Sequence, residues 1–433
     1  MRFTSAREVA GGAFVWVASL ALLFILIRLS TESLIGAGAA VVLAVVLLAL
    51  VCLDLRRAGT MFVTLAMFMA PMNDIRLGAS FVTASDLLFL LGFAILTPIV
   101  IGNRIAVPPM FWLGLSIVLV MGVLASIASP MPVVSVNQVA RLMVGAFALP
   151  IFFMVWRPAA NILARFAAAY MLGSAISVGM ALAQGPLGGG RYVGLTYHPN
   201  YFGLASLLAV ALTPFVVGKV APDLRWIFWG AAAVSAGGVW LSGSRAALLV
   251  LIMLILIYPF VERSIRAGGV VVLGVAAVLA FSGRLLEEDG ESNALGRLFG
   301  AGTAAGSDLE RKQILSDAWM QFRAHPLLGN GFDGGLGSHN IYLQVAVAIG
   351  IFGLIGYLII LWIGLRPLFW EGVNHRLAYP VLAYAAIGPI TNTLWDRLIW
   401  AVVALAFVVS VDARDSETEL DPVDAPLTPR GAR

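Results

Sequence analysis

Cysteine is almost absent. The chain has one, Cys52, inside an apolar run, which excludes a disulfide framework and a thiolate metal site. Histidine is nearly as scarce, with four in 433 residues and no His-Glu-x-x-His or comparable ligand spacing. No metal and no other cofactor is therefore expected. Charge is sparse too. Only 12% of residues are charged against 61% hydrophobic, a balance that excludes a soluble globular domain and marks an integral membrane protein. A pI near 9.4 would suggest nucleic acid in a soluble protein. Here the arginines fall between apolar runs, the distribution that sets membrane orientation, so no nucleic-acid partner is expected. Internal repeats and heptads are also lacking.

What is present is a series of apolar runs of spanning length. They fall at about 11–29, 33–53, 60–72, 81–102, 109–129, 135–156, 162–184, 200–218, 225–241, 244–260, 268–283, 340–363, 377–392 and 395–411. The third is short and the last two could be one broken helix, so an all-α polytopic protein of about 12–14 membrane helices is expected. No small-residue cleavage pattern follows the first run, which therefore reads as a span and not a signal peptide.

Alternate connections are basic: Arg56-Arg57, Arg104, Arg157 with Arg165, Lys219 with Arg225, Arg263 with Arg266, and Arg366 with Arg376. With the N-terminus cytoplasmic, this places 185–199, 242–244 and 284–338 outside. The expected address is the inner (plasma) membrane, with both termini cytoplasmic. The expected organisation is 1–184 N-terminal spans, 185–365 a functional region containing the loop 284–338, 366–411 the last spans, and 412–433 a disordered tail. The first half of the loop, Arg284 to Gly306, is rich in Gly, Ala and charge and is expected to be mobile. Asp86 and Arg141 lie about two turns inside their spans and are expected to pair, since intramembrane charges are costly alone.

The second half of the loop is helix-forming. Ser307-Asp308-Leu309-Glu310 has the capping-box pattern, and His325-Pro326 ends the helical spacing. Ile314, Leu315, Ala318, Trp319 and Phe322 share one face, and Arg311 falls in its middle, aimed inward by expectation. Asp308, Glu310 and Asp317 read as helix-start acids and a solvated face.

Three spans then enter the membrane from outside directly after a polar motif. These are Arg191-Tyr192 through His198-Pro199-Asn200, Ser242-Gly-Ser-Arg245, and Ser338-His339-Asn340. Pro199 suits a first helical position, and Ser244 and Ser338 suit N-caps. Ser338 as cap would put His339 in the first turn of its helix. Each helix offers free N–H groups and a positive dipole end. Arg245 opposes that dipole, a conflict that a bound anion would resolve. Arg191, Arg245 and Arg311 with these helix ends would hold a phosphate or pyrophosphate. Taken singly the pieces have plainer readings. Arg245 suits a residue reaching for lipid headgroups, His198 a cap, and His375 a topological marker. Tyr192, Tyr197 and Trp319 suit interface anchors as well as sugar-stacking rings.

These motifs resemble the O-antigen ligase and polymerase family of membrane glycosyltransferases. The likeness lies in Arg191-Tyr-Val-Gly-Leu-Thr-Tyr-His-Pro-Asn200, Leu241-Ser-Gly-Ser-Arg245, Arg311 with Trp319, Pro326 and Gly329-Asn-Gly331, and His339-Asn340-Ile-Tyr-Leu343 followed by Gly350 and Gly353. It covers 185–360; earlier spans match only in hydropathy. The resemblance implies a GT-C-like fold and an extracytoplasmic active site. Its donor would be a glycan on polyprenyl (undecaprenyl) diphosphate and its acceptor a saccharide or glycolipid hydroxyl, with membrane lipids and other polysaccharide-export proteins as partners. Residues like Arg245 and Arg311, with Arg191, would grip the diphosphate. His339 would activate the hydroxyl, and Tyr192, His198, Asn200 and Asn340 would make weaker substrate contacts. Two other classes stay open: an anion transporter of the bicarbonate kind, and a non-catalytic assembly subunit.

Orientation is directly testable. In intact cells (with any outer membrane permeabilised), cysteines at Gly188 and Gly302 should react with an impermeant thiol reagent, and cysteines at Ala58 and Ala221 should not. Labelling of the second pair would invert the topology.

Overall fold

The computed structural model of the chain describes residues 54–76, 82–103, 107–187, 190–273, 276, 294, 297, 304–332, 337–370 and 373–419. The runs expected at 11–29 and 33–53, the end of the run at 268–283, most of 284–306, and the tail beyond 419 lie outside these residues. Among the described residues the fold is all-α, with only an isolated bridge between Arg76 and Thr83. The helices are α1 Leu55–Met69, α2 Ala84–Val100, α3 Pro109–Ala128, α4 Pro132–Trp156 and α5 Ala160–Gln184. They continue with α6 Pro199–Lys219, α7 Arg225–Leu241, α8 Arg245–Val261, α9 Ala304–Ala324, α10 Ile341–Leu365, α11 Tyr379–Ile387 and α12 Arg397–Glu419. By length and hydropathy α3, α4, α5, α6 and α10 can each cross a bilayer. The protein is a polytopic membrane protein.

Burial follows pattern. Residues 398–408 of α12 are apolar all round and essentially inaccessible, as expected of a helix enclosed by others. Around it the few polar groups are paired. The Tyr170 hydroxyl donates to Leu398 O at 2.9 Å, and Trp400 Nε1 donates to Leu394 O at 2.7 Å. Helix α3 lies tightly along α10 because each has a glycine at the crossing: a Cβ on Gly114 would stand 2.8 Å from Gly356 O.

Helix α10 is not continuous. Ile349 and Gly350 leave helical geometry, with Gly350 at φ 69°. The loop segment 326–332 enters the break. Asn330 N donates to Val347 O at 2.8 Å, Gly331 N to Ala348 O at 2.9 Å, and Ile351 N to Pro326 O at 2.9 Å. Phe332 N donates to Ser135 Oγ at 2.8 Å, tying the same loop to α4. Only glycine fits here, since a Cβ at Gly350 would fall 2.0 Å from Leu327 O.

Several expectations change. Asp86 and Arg141 line one hollow, and Asp86 also has a role nearer in sequence and a second arginine beside it. Helix α2 begins at Ala84, which puts Asp86 in the first turn, where it closes a capping box with Thr83. Arg397 forms an ion pair with its other oxygen, Nε lying 2.6 Å away. Arg141, on α4, lies over the Trp395 ring at 5.3 Å. Helix α9 starts at Ala304, before the Ser307 cap, and its buried side is narrower than expected. Ala318 is buried, Arg311, Ile314 and Phe322 are half-buried, and Leu315 and Trp319 are exposed. The run 377–392 is helical only to Ile390, and α12 runs on to Glu419, into the stretch expected to be disordered. Ala58 is wholly buried in α1, so a cysteine there would be silent in either orientation. Exposed Arg57 is the informative position in its place.

At the end of the bundle opposite the loop, His375 is more than a topological marker. Glu262, just after α8, faces His375 Nε2 at 3.0 Å, accepts from Arg376 Nε at 2.9 Å, and accepts from the Tyr379 hydroxyl at 3.2 Å. Arg376 also donates to Pro214 O in α6. Burial alone would push the Glu262 carboxyl up. Arg376 and His375 outweigh it and hold the group below its ordinary value of 4.5. A depressed folded-state pKa gives stability that is complete above the unfolded value and is lost as pH falls through the folded one. Glu262→Ala should cost on the order of 3 kcal/mol, because it strands Arg376. Thermal melts of detergent-purified protein should show wild type losing stability on acidification below about pH 4.5, in a step that Glu262→Gln lacks.

Candidate active site: an arginine cleft at the loop end

Four local structures converge at the loop end. The first is the turn between α5 and α6. Arg191 Nε donates to Ser242 O at 2.9 Å, and its Nη2 donates to Asn200 Oδ1 at 2.7 Å, binding this turn to the α7–α8 connection. Tyr192 N donates to Leu241 O at 3.1 Å. His198 caps α6, its Nδ1 accepting from Asn200 N at 3.1 Å, and Pro199 takes the first helical position.

The second is the turn Ser242-Gly243-Ser244. Gly243 has φ 62°, the Ser242 hydroxyl accepts from Ser244 N at 3.0 Å, and Ser244 Oγ accepts from Ala247 N at 3.4 Å. Helix α8 therefore begins at Arg245, and its first residues line a cleft. The third is α9, which carries Arg311, with Arg297 ahead of it. The fourth is the approach to α10. Here the cap is Asn340, whose Oδ1 accepts from Leu343 N at 3.1 Å, and the Ser338 hydroxyl donates to Asn340 O. His339 thus precedes the helix and is not in its first turn. It sits in left-handed backbone at φ 50°, where non-glycine residues are uncommon and histidine is enriched.

The cleft is lined by Arg191, Asn200, Arg245, Arg297, Arg311 and His339, closed by Thr391 and Asn392 after α11. All three arginines singled out in the sequence, with His339 and Asn200, are brought together. Tyr192 is not. It packs with Val178, Ala181, Phe202 and Leu241 in a separate apolar cluster. Asn340 is occupied as a cap, and Trp319 is exposed beneath Arg323 at 5.3 Å. Arg297, 5% exposed, escaped the sequence reading. It stands alone in a Gly- and Ala-rich stretch with no periodic partner to give it a face. Among the described residues no three His, Cys, Asp or Glu side chains converge as metal ligands.

Positive charge is concentrated enough to act on itself. Arg191 is lowered to about 10 by burial and then by Arg297, Arg311 and Arg245, so it stays charged at neutral pH but at a cost. His339 is held below 6.5 by burial and by Arg311, with Glu310 acting in the opposite sense. His198 is lowered by burial, Arg191, His339 and Arg311. Cations in a low-dielectric cleft, beside the start of α8, have the chemistry to hold an anion next to two imidazoles whose charging is disfavoured.

Residues 230–358 match the family described as O-antigen ligase. The chain carries an O-antigen ligase domain. No curated protein matches the chain. The O-antigen ligase domain holds Arg245, Arg297, Arg311 and His339, while Arg191, Asn200 and the 391–392 wall are contributed from outside it.

The His339 electrostatics can be measured by histidine NMR titration. Arg311→Ala should raise the His339 pKa toward 6.5, and Glu310→Gln should lower it further. A His339 value indifferent to Arg311 would separate the two residues.

Proposed function

We propose that the arginine cleft binds the diphosphate of a polyprenyl-linked glycan and that the protein transfers the glycan to a saccharide hydroxyl at the extracytoplasmic face. The observation that carries this is the mutual crowding of Arg191, Arg245, Arg297 and Arg311 at the start of α8, which a bound dianion would relieve. In the reaction the acceptor oxygen attacks the anomeric carbon and its proton passes to the neutral His339 imidazole. The bond from the anomeric carbon to phosphate oxygen breaks, and the polyprenyl diphosphate leaves with the bonding pair. The arginines act where that negative charge develops, the interaction that most lowers such barriers. His339 is suited to accept a proton because burial and Arg311 keep it neutral. Such a protein would polymerise or ligate a surface polysaccharide in the inner membrane.

One observation speaks for transport: α10 is broken about nine residues, roughly 13 Å, from its start. A transporter presents such half-helix ends to its solute. Here the freed carbonyls of Val347 and Ala348 are spent on Asn330 and Gly331, so the break does not line a path.

The test is a reconstituted assay with purified lipid-linked donor. Arg245→Ala and Arg311→Ala should each lower turnover by about 10²–10³. Arg311→Lys should remain poor because a point charge does not replace a bidentate fork. Arg323→Ala, exposed on the far side of α9, should be mild. His339→Arg should bind donor without turnover; substantial turnover by that variant would sink the general-base role.

A further inference from the structure

A second polar hollow lies beside the arginine cleft, with a volume of about 290 Å³. That is close to the lower end of the range for small-ligand pockets, about 300–1,000 Å³. Two chain segments form a wall of both spaces. In 197–201, Asn200 faces the cleft and Tyr197 the hollow. In 391–397, Thr391 and Asn392 face the cleft, and Trp395, Asp396 and Arg397 face the hollow. A molecule in the hollow therefore lies next to whatever the cleft holds. A π-helical turn at Met143–Phe147 of α4 makes room for this wall, with a Cβ on Gly145 falling 2.8 Å from Trp395 O.

The chemistry differs from that of the cleft. Charges of both signs are interleaved. Asp86 takes Arg397 Nε at 2.6 Å, Arg76 lies 4.7 Å over the Tyr197 ring, and Arg141 lies 5.3 Å over Trp395. Asp396 is half-buried. Burial raises its carboxyl to about 6, with Asp86 adding and Arg141, the Tyr201 hydroxyl and Arg397 opposing. At neutral pH it is mainly ionised and a strong acceptor for hydroxyl protons. Donors and acceptors at close range, with aromatic rings among them, suit a polyhydroxylated ligand better than a second anion.

Asn73 gives an independent sign. It is 6% exposed, lines the hollow, and its Oδ1 has no hydrogen-bond partner. A lattice of ion pairs built only to lock helices has no use for a buried orphan acceptor, which is costly to keep. A ligand hydroxyl would satisfy it.

We propose that this hollow is a saccharide subsite, holding one hydroxyl-rich sugar unit against the diphosphate cleft. The identity of that neighbour rests on the transferase reading above. The sugar comes either from the glycan of the lipid-linked donor or from the acceptor.

Binding can be read without turnover. The probe is the oligosaccharide repeat released by hydrolysis from the producing cell's own surface polysaccharide, titrated into the detergent-purified full chain and followed by saturation-transfer NMR. Asn73→Leu and Asp396→Asn should each weaken binding roughly tenfold, while Arg245→Ala should change it less than about twofold. Asn73→Leu removes no hydrogen bond made by Oδ1, so it keeps the test open if Asp396→Asn disturbs folding. An oligosaccharide that does not bind the wild type, or binds Asn73→Leu equally well, overturns the subsite. Transfer persisting in Arg245→Ala and Arg311→Ala would overturn the diphosphate role of the cleft, and no transfer by the wild type would overturn the transferase reading; either leaves the binding result standing. Excess lipid-linked donor displaces the oligosaccharide if the subsite serves the donor glycan, and leaves it bound if it serves the acceptor.

Discussion

The arrangement of this molecule depends on one piece of backbone hydrogen bonding. Helix α10 opens at Ile349–Gly350, and the loop segment 326–332 fills the opening. Two unsatisfied carbonyls in a membrane bundle would be prohibitive, so the break and the loop require each other. The consequence reaches the cleft at both ends of the same chain segment. Helix α9, with Arg311, is held by the loop that follows it. The approach to α10, with His339, begins a few residues after that loop. Ser135, which accepts from Phe332, carries the tie into α4 and hence toward the wall at 391–397.

Electrostatics supplies the second constraint. The loop end of the bundle sorts its charges into two neighbouring spaces. One gathers arginines that raise each other's energy, and the other interleaves arginines with carboxylates. Neither is the kind of patch that aids packing, since apolar side chains of the same volume would cost less. At the opposite end Glu262, His375 and Arg376 form a closed cluster that satisfies itself and ties α8 to α6 and to the segment before α11. The contrast between that cluster and the two hollows makes the loop end the candidate functional end.

Much of this was legible in the residues. Apolar runs in alternation with basic connections reported helices with boundaries close to those observed, because the bilayer leaves a backbone no other choice. Arg191, Arg245, Asn200 and His339 were legible because each lies near the start of a helix with a recognisable cap or proline, and Arg311 because it interrupts an apolar helix face. What was not legible depended on register in three dimensions. Arg311, Ile314, Ala318 and Phe322 were rightly expected to turn inward, while Leu315 and Trp319 are exposed, because the contact with α10 is narrower than the apolar face and centres on Ala318. The Arg397 partner of Asp86 was not foreseen, because it comes from a segment more than 300 residues away in sequence.

The amino-acid sequence by itself determined that the chain is a helical membrane protein and which short motifs sit at one end. Hydrophobicity, caps and prolines act over a few residues, so they can be read in order along the chain. Only the tertiary structure decided that Arg297 joins the cleft and that Asn340, not Ser338, caps α10, leaving His339 outside the helix. Only it decided that Asp396 and Asn73 face a common hollow. These depend on which segments, hundreds of residues apart in sequence, come to share one wall. No local preference of the backbone encodes that sharing; it follows from the packing of all the helices at once.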